Sequence, residues 1–406
     1  MRVLIVSTSE RSGGAAIAAN RLCRALINNG VQAKMLVRDK QTDAMTTVRV
    51  RQTKWDKAWE RLRIFIANGF SFDGLWAVDI ASCGTDITRL PEFREADVIH
   101  LHWVNQGFLS LKSIRKILRS GKRVVWTLHD HWPVTAVCHH SVDCSEFERG
   151  CQNCWRLKGR LPHAVFKKKQ VIYGDTTADC LTFVGCSQWT AALARRSPLT
   201  AGHSVTAIPN PVPHDIFYPH ERDEARREFG LPLGQHLVLF AACNVADKMK
   251  GIDLLIQASF RFRPEEDVAF VVVGNNSRPE FQMPIYSIPY VTDEHQMARL
   301  YSAVDVFVTP SLLENLPNTI AESMSCGTPC VGFPVGGIPE MIEHKKNGYV
   351  AKLRDVEDLA DGIRYCLEHD MRTEAASHAA RLFGESHVVR RYMEVYGELD
   401  DEKANL

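Results

Sequence analysis

Two glutamates, Glu314 and Glu322, are separated by seven residues in the stretch DVFVTPSLLENLPNTIAESMSCGTPCVGFPVGGIPE, residues 305–340. The pattern puts Glu314 in a loop and Glu322 inside the helix that follows, between a strand at 306–309 and another at 329–333. Carboxylates accept hydrogen bonds from vicinal hydroxyls, so two acids at the carboxyl end of a strand suit a polyhydroxylated ligand. Asn315 reads as the N-cap, Pro317 as a first-turn residue, and Gly327 with Pro329 as the stop, which predicts a helix over 317–326. Its free N–H groups and positive dipole end would favour a phosphate. The plainer alternative is a surface helix with solvated acids.

Three further groups carry chemistry. Gly13 and Gly14, after the opening strand, lie before a helix near Ala15 and would let backbone approach a phosphate closely. The dinucleotide fingerprint is incomplete there and no acid ends the next strand, which disfavours NAD. In DKMKGIDLLIQA, Lys250 and Gly251 open a helix after the first strand of the second half; Lys250, with Lys248, could reach a ligand phosphate. His129 and Asp130 end a strand, and Cys138, Cys144, Cys151 and Cys154 follow within seventeen residues, closing on a CxxC pair. That spacing leaves open a structural four-thiolate zinc site, with His131, His139 or His140 able to replace a thiolate, an iron–sulfur cluster, or unliganded thiols.

Strand-like runs separated by helical patterns must position these groups, which predicts parallel α/β architecture. Strands are expected at 2–7, 33–37, 98–102, 123–129, 181–186 and 205–208, and again at 236–241, 268–274, 286–288, 305–309 and 329–333. The restart implies two Rossmann-like domains, 1–210 and 211–386, with a hinge at 208–219 that carries four prolines and a C-terminal helix over about 387–406 packing back on the first domain. At 406 residues, two cores are the expectation. The net charge of +1 conceals an asymmetry: residues 1–210 hold 30 Lys+Arg against 17 Asp+Glu, residues 211–406 hold 19 against 31. A basic first half predicts an anionic partner, lipid or acidic polysaccharide; no motif supports nucleic acid. In WDKAWERLRIFIANGF, Trp55, Trp59, Leu62 and Ile66 share one helical face, with Lys57, Arg61 and Arg63 elsewhere, so that face either lies on an anionic membrane surface or packs on its own domain. No apolar run reaches the roughly 18–20 residues of a spanning helix, and the start MRVLIVSTSE lacks a signal peptide's parts. The expectation is a cytoplasmic protein, peripheral at most to the inner face of the cell membrane.

Together these residues resemble a GT-B glycosyltransferase of glycosyltransferase family 4, the retaining, nucleotide-sugar-dependent group. The likeness runs through the glycine loop, the Thr127-Leu128-His129-Asp130 strand end, Ser187-Gln188-Trp189, the IPN hinge, Lys250-Gly251, the paired glutamates and the GGIPE turn. The cysteine insertion is similar to a branch that includes colanic-acid-type exopolysaccharide enzymes. The resemblance implies two Rossmann-like domains facing across a cleft. It implies that Glu314 contacts donor-sugar hydroxyls, that Glu322 accepts from the ribose, and that the backbone of Asn315, Leu316, Pro317 and Asn318 approaches the sugar and diphosphate. Lys250 would neutralise the leaving phosphate, His129 would act from the acceptor side, and Gly13 and Gly14 would cap the diphosphate. Many members carry an arginine where Asn244 stands, so the phosphate clamp would rest on Lys250 with Lys248.

The expected reaction moves a hexose from a nucleoside diphosphate sugar to a glycan acceptor, one that is lipid-linked, with retention and without a required catalytic metal. The pathway would be bacterial exopolysaccharide, capsule or lipopolysaccharide synthesis. A sugar-nucleotide epimerase would convert donor without acceptor, and a non-enzymatic nucleotide-sugar sensor would have no need for Glu314, Glu322 and Lys250 in register.

Overall fold

A computed structural model describes residues 1–51, 55–177, 180–275 and 280–397. It divides the chain into two compact units, Met1–Asn210 with Val388–Leu406, and Pro211–His387.

Unit 1 is built on a seven-stranded sheet in the order β3-β2-β1-β4-β5-β6-β7, every pairing parallel. The strands are β1 (Arg2–Ser9), β2 (Gln32–Asp39), β3 (Thr47–Arg49), β4 (Val98–Leu101), β5 (Arg123–Leu128), β6 (Leu181–Gly185) and β7 (Ser204–Ala207). Strands buried on both faces read as unbroken apolar runs, as in RVLIVSTS, where seven of eight residues are buried. One face packs Leu4, Val6, Trp126 and Phe183 into a large cluster; the other packs Val3, Ile5 and Val125 against the helix Gly14–Asn28. Val388, Val389, Tyr392 and Tyr396 of the helix Glu385–Tyr396 belong to that second cluster, and Tyr396 hydrogen-bonds His100 Nδ1 at 2.7 Å. Residues 398–406 of the expected C-terminal helix lie outside the described residues.

Unit 2 carries a six-stranded parallel sheet in the order β10-β9-β8-β11-β12-β13. Its strands are β8 (His236–Asn244), β9 (Val268–Asn275), β10 (Ile285–Ile288), β11 (Val306–Thr309), β12 (Cys330–Gly332) and β13 (Gly348–Val350). In both sheets the order reverses beside the first strand of the unit, between β1 and β4 and between β8 and β11. Loops diverge at such a point and leave a crevice at the carboxyl ends.

Two local expectations are corrected. The helix after β11 runs Asn318–Ser325, and Pro317, not Asn315, stands at its N-cap with an extended ψ of 117° and no side-chain cap bond. Asn315 is held otherwise, since its carbonyl accepts the N–H of Gly337 at 2.8 Å. Lys250 does not open a helix: Lys248–Lys250 form one 3-10 turn, and Gly251, at φ 74°, turns the chain into the helix Ile252–Ser259.

Candidate functional site

In unit 2 the loops after β8 and β11 are stitched to each other. Leu312 N–H donates to Met249 O at 2.8 Å, and a Cβ on Gly251 would lie 1.9 Å from the Pro310 carbonyl oxygen, so only glycine fits this left-handed position. The stitching brings Lys250 Nζ to 2.5 Å from Glu314 Oε1, with the lysine side chain 38% and the glutamate 14% exposed. The GGIPE turn closes on the same loop: a Cβ on Gly336, at φ 57°, would lie 2.0 Å from Glu314 O. Glu322 sits one helical turn further on, buried, where the Tyr301 hydroxyl donates to its Oε2 at 3.1 Å. Asn315, buried, and Leu316, half-buried, lead to Pro317 and Asn318 at the mouth of the helix. Lys248 is exposed on the 3-10 turn.

Sequence reading missed Tyr290. It follows β10 at the sheet edge, and its hydroxyl proton is held more tightly by burial, by the charge of Cys243 and a hydrogen bond with it, and by the charge of Glu322. Its signal was a strand-end aromatic after Pro289, a position that contributes to a crevice in this architecture.

In unit 1, Gly13 at φ 89° is the N-cap of the helix Gly14–Asn28, and the space where a Cβ would go is open. His129 follows β5, and its Nε2 lies 2.8 Å from His102 Nδ1, the two rings stacked at 5.1 Å. His100 stacks on His102 at 4.3 Å and is bound by Thr127 and Tyr396. Burial lowers all three imidazole pKa values, His129 to about 4 and His100 to about 3, so the row is neutral at physiological pH. Asp130 is a structural acid. Burial opposes its ionisation, yet His139 at 2.7 Å, the Trp132 N–H at 2.9 Å and the Trp103 indole at 2.7 Å hold its carboxyl near 2.

Among the described residues no three His, Cys, Asp or Glu side chains gather as a metal ion requires. The thiols of the cysteine insertion nevertheless act on one another: Cys138 hydrogen-bonds Cys154, and Cys144 and Cys154 both act on Cys151. Cys138 bridges to Val78, and Thr135 holds the Cys138 carbonyl at 2.8 Å, while the Cys154 sulfur takes a hydrogen bond from Cys138 and the N–H groups of Leu157 and Arg156, which lowers it to about 6. Burial pushes the Cys151 thiol up to about 11, and Cys144 lies partly exposed on a separate turn. His131 Nδ1 is bound to Ser141 at 2.9 Å and His139 Nδ1 to Asp130 at 2.7 Å.

A family model described as Glycosyltransferase Family 4 matches residues 12–216, just over half of the chain. The chain belongs to glycosyltransferase family 4. A second model, Glycosyl transferases group 1, matches residues 235–369. Among relatives, D-inositol 3-phosphate glycosyltransferase of Mycolicibacterium smegmatis is 28% identical over 200 residues, 45% of this chain and 44% of that protein. N-acetyl-alpha-D-glucosaminyl L-malate synthase of Bacillus anthracis is 23% identical over 214 residues, 49% of this chain and 55% of that protein. The chain thus spans about half the length of these relatives, and neither is a colanic-acid enzyme by name. Two solved structures share the fold over nearly every residue: sucrose-phosphate synthase from Thermosynechococcus elongatus (TM-score 0.66, 17% identity, 99% of this chain and 100% of that one) and Anabaena HepE in complex with UDP (TM-score 0.64, 16% identity, 98% and 100%). The two parallel-sheet, Rossmann-like units are those of a GT-B glycosyltransferase.

Proposed function

We propose that this family member is a retaining glycosyltransferase that moves a hexose from a nucleoside diphosphate sugar to a hydroxyl of a glycan acceptor carried on a lipid, in exopolysaccharide, capsule or lipopolysaccharide assembly. The observation that carries the reading is the Lys250–Glu314 pair, 2.5 Å apart on adjacent strand-end loops beside the N-terminus of the helix Asn318–Ser325. The Lys250 side chain is 38% exposed, so a diphosphate can exchange its own oxygens for the glutamate's. Lys250 then turns to the phosphate oxygens and Glu314 is released to accept from sugar hydroxyls. Lys248 adds positive charge to the diphosphate, Asn315 to Asn318 line the sugar, and Glu322, oriented by Tyr301, takes the ribose.

No carboxylate is placed as a covalent nucleophile in this scheme. The leaving phosphate takes the acceptor proton on the face it departs from, the glycosidic bond breaks ahead of the new one, and Lys250 with the helix N-terminus stabilises the charge that develops on the diphosphate. His129, neutral, serves the acceptor side as a hydrogen-bond partner. Anabaena HepE has been solved with UDP-glucose and WaaG is described as acting in lipopolysaccharide biosynthesis, which supports a sugar nucleotide and a glycan here.

A second reading of the acceptor follows from the relatives: inositol 3-phosphate and L-malate are small anionic hydroxy compounds. Incubation with a panel of nucleotide sugars, with lipid-linked glycans in one arm and small anionic polyols in the other, decides between them. Glu314→Gln should abolish transfer in the productive arm while the fold is retained; wild-type turnover by that variant would sink the assignment.

A further inference from the structure

The helix Trp55–Ala67 is inside out. Its buried residues are Glu60, Arg61 and Ile64, whereas Trp55, Trp59, Leu62 and Ile66 point to solvent, with exposures from 42% for Leu62 to 79% for Trp55. The expectation that this apolar face packs on its own domain is therefore wrong. The cause is a charged clasp beneath the helix. Arg61 donates to Leu75 O at 2.6 Å, Val78 O at 3.0 Å and Asp79 Oδ2 at 2.8 Å, and Glu60 accepts the N–H groups of Ile80 and Ser82, each at 2.9 Å. Turning the apolar face inward would break the buried Arg61–Asp79 pair and strand the Glu60 carboxyl without its hydrogen bonds, which costs more than the burial of two tryptophans returns. A second restraint is Gly107, at φ 77°, where a Cβ would lie 2.9 Å from the backbone of Asp56 and Lys57.

The loop that follows extends the same surface. Phe70 and Phe72 are exposed and meet the helix through Phe65, with ring centroids 5.6 and 4.7 Å away. Trp76, also exposed, lies beneath Lys57 at 5.5 Å and Arg61 at 5.1 Å, and Arg63 stands over Trp59 at 5.5 Å. On this surface Arg63 is exposed and Lys57 half-exposed, against exposed Asp73 and half-exposed Asp56.

We propose that the outward face of helix Trp55–Ala67, with Phe70, Phe72 and Trp76, docks on an anionic lipid bilayer. Aromatic rings flanked by cations match that boundary: the rings enter the headgroup–acyl layer, and arginine and lysine reach lipid phosphates while covering the ring faces. Thirteen residues make a helix of about 20 Å, which lies in the interface plane and does not span. Docking would hold the basic unit 1 at the surface from which a lipid-carried acceptor is presented. The inference goes beyond the transfer reaction and does not depend on it.

The full chain is tested by co-sedimentation with vesicles of phosphatidylcholine alone and of phosphatidylcholine mixed with phosphatidylglycerol, and by tryptophan quenching with brominated acyl chains. Retention and quenching on the anionic vesicles are expected. A Trp59→Ser, Leu62→Ser, Phe72→Ser variant, whose changes are all at exposed positions, should bind at least about tenfold more weakly with an unchanged thermal midpoint. No retention at low salt overturns the proposal. So does retention without quenching, which marks adsorption by charge only, or a concentration-dependent dimer in sedimentation velocity that shields the tryptophans. Transfer to a water-soluble acceptor should survive in the triple variant, so a failed docking test and a failed transfer assay are separate results.

Discussion

The two units of this chain handle charge in different ways. Unit 2 pairs its charges: Lys250 with Glu314 at the carboxyl ends of its strands and, at the opposite end, Asp305 before β11 between Arg222 at 2.8 Å and Arg226 at 2.9 Å, with the backbone N–H of Leu237 on the same carboxylate. Beside the buried Arg61–Asp79 pair and the hydrogen-bonded Asp130, unit 1 buries several titratable groups with their charge suppressed. His100, His102 and His129 are neutral through burial; Lys169, donating to Trp132 O and Thr135 O, is lowered to about 7 by burial, and Glu60 is raised to about 7 by burial and by Asp79. A face meant to meet a diphosphate needs mobile counter-charges. A face meant to meet a neutral hydroxyl needs polar groups that do not titrate under working conditions.

The strongest way to break that contrast is to remove the mobile cation. Lys250→Ala should lower kcat/KM by about 10²–10³-fold, the usual loss of one group aimed at developing charge. Near-normal nucleotide release by the variant, measured in steady state, would show that Lys250 is a solvated helix-turn lysine. Lys248→Ala, at an exposed position, should cost far less.

The contrast sharpens at His129. Because burial holds its pKa near 4, kcat/KM should show no limb from His129 protonation between about pH 5 and 8. His102→Gln, which removes the 2.8 Å contact to His129 Nε2, should lower kcat by roughly tenfold with donor KM unchanged, as expected of a positioning residue. An acidic limb near pH 6 that His129→Gln abolishes would mean that the imidazole is charged in use and the neutral row is wrong.

Much of this arrangement was legible in the residues. Apolar runs such as RVLIVSTS and AFVVVG declare buried parallel strands, and the eleven strands expected from them all appear with ends shifted by at most a few residues. β3 and β13 were not legible: Thr47–Arg49 and Gly348–Val350 are three-residue edge strands, too short for any periodicity. The Lys250–Glu314 neighbourhood could be expected from loop positions, but the ion pair itself depends on Gly251 pressing against Pro310, which no local pattern encodes. The same limit explains the cysteines. CxxC spacing speaks of ligand geometry, whereas the pairing of residues 77–79 with 137–139 decides where Cys138 is held. Helical periodicity located the apolar face of Trp55–Ala67, and only the tertiary bonds of Glu60 and Arg61 show that it turns outward.

The smallest expected effect isolates Glu60, whose proton-linked contribution opposes that of the histidines. Its folded pKa of about 7 lies above the ordinary 4.5, so between those values the folded state binds more protons and stability falls as pH rises. The histidines have folded values below the ordinary 6.5, His129 about 4 and His100 about 3, so the unfolded state binds more protons there and stability rises with pH. The two slopes partly cancel in the wild-type chain. Glu60→Gln removes only the first: although losing a carboxylate that accepts from Ile80 and Ser82 destabilises the protein at every pH, the gain in unfolding free energy from pH 5 to pH 7 should exceed the wild-type gain by about 1–2 kcal/mol. Urea titrations at the two pH values measure that difference. An equal or smaller gain in the variant would mean that Glu60 is ionised in the folded protein, sharing the Arg61 counter-charge with Asp79.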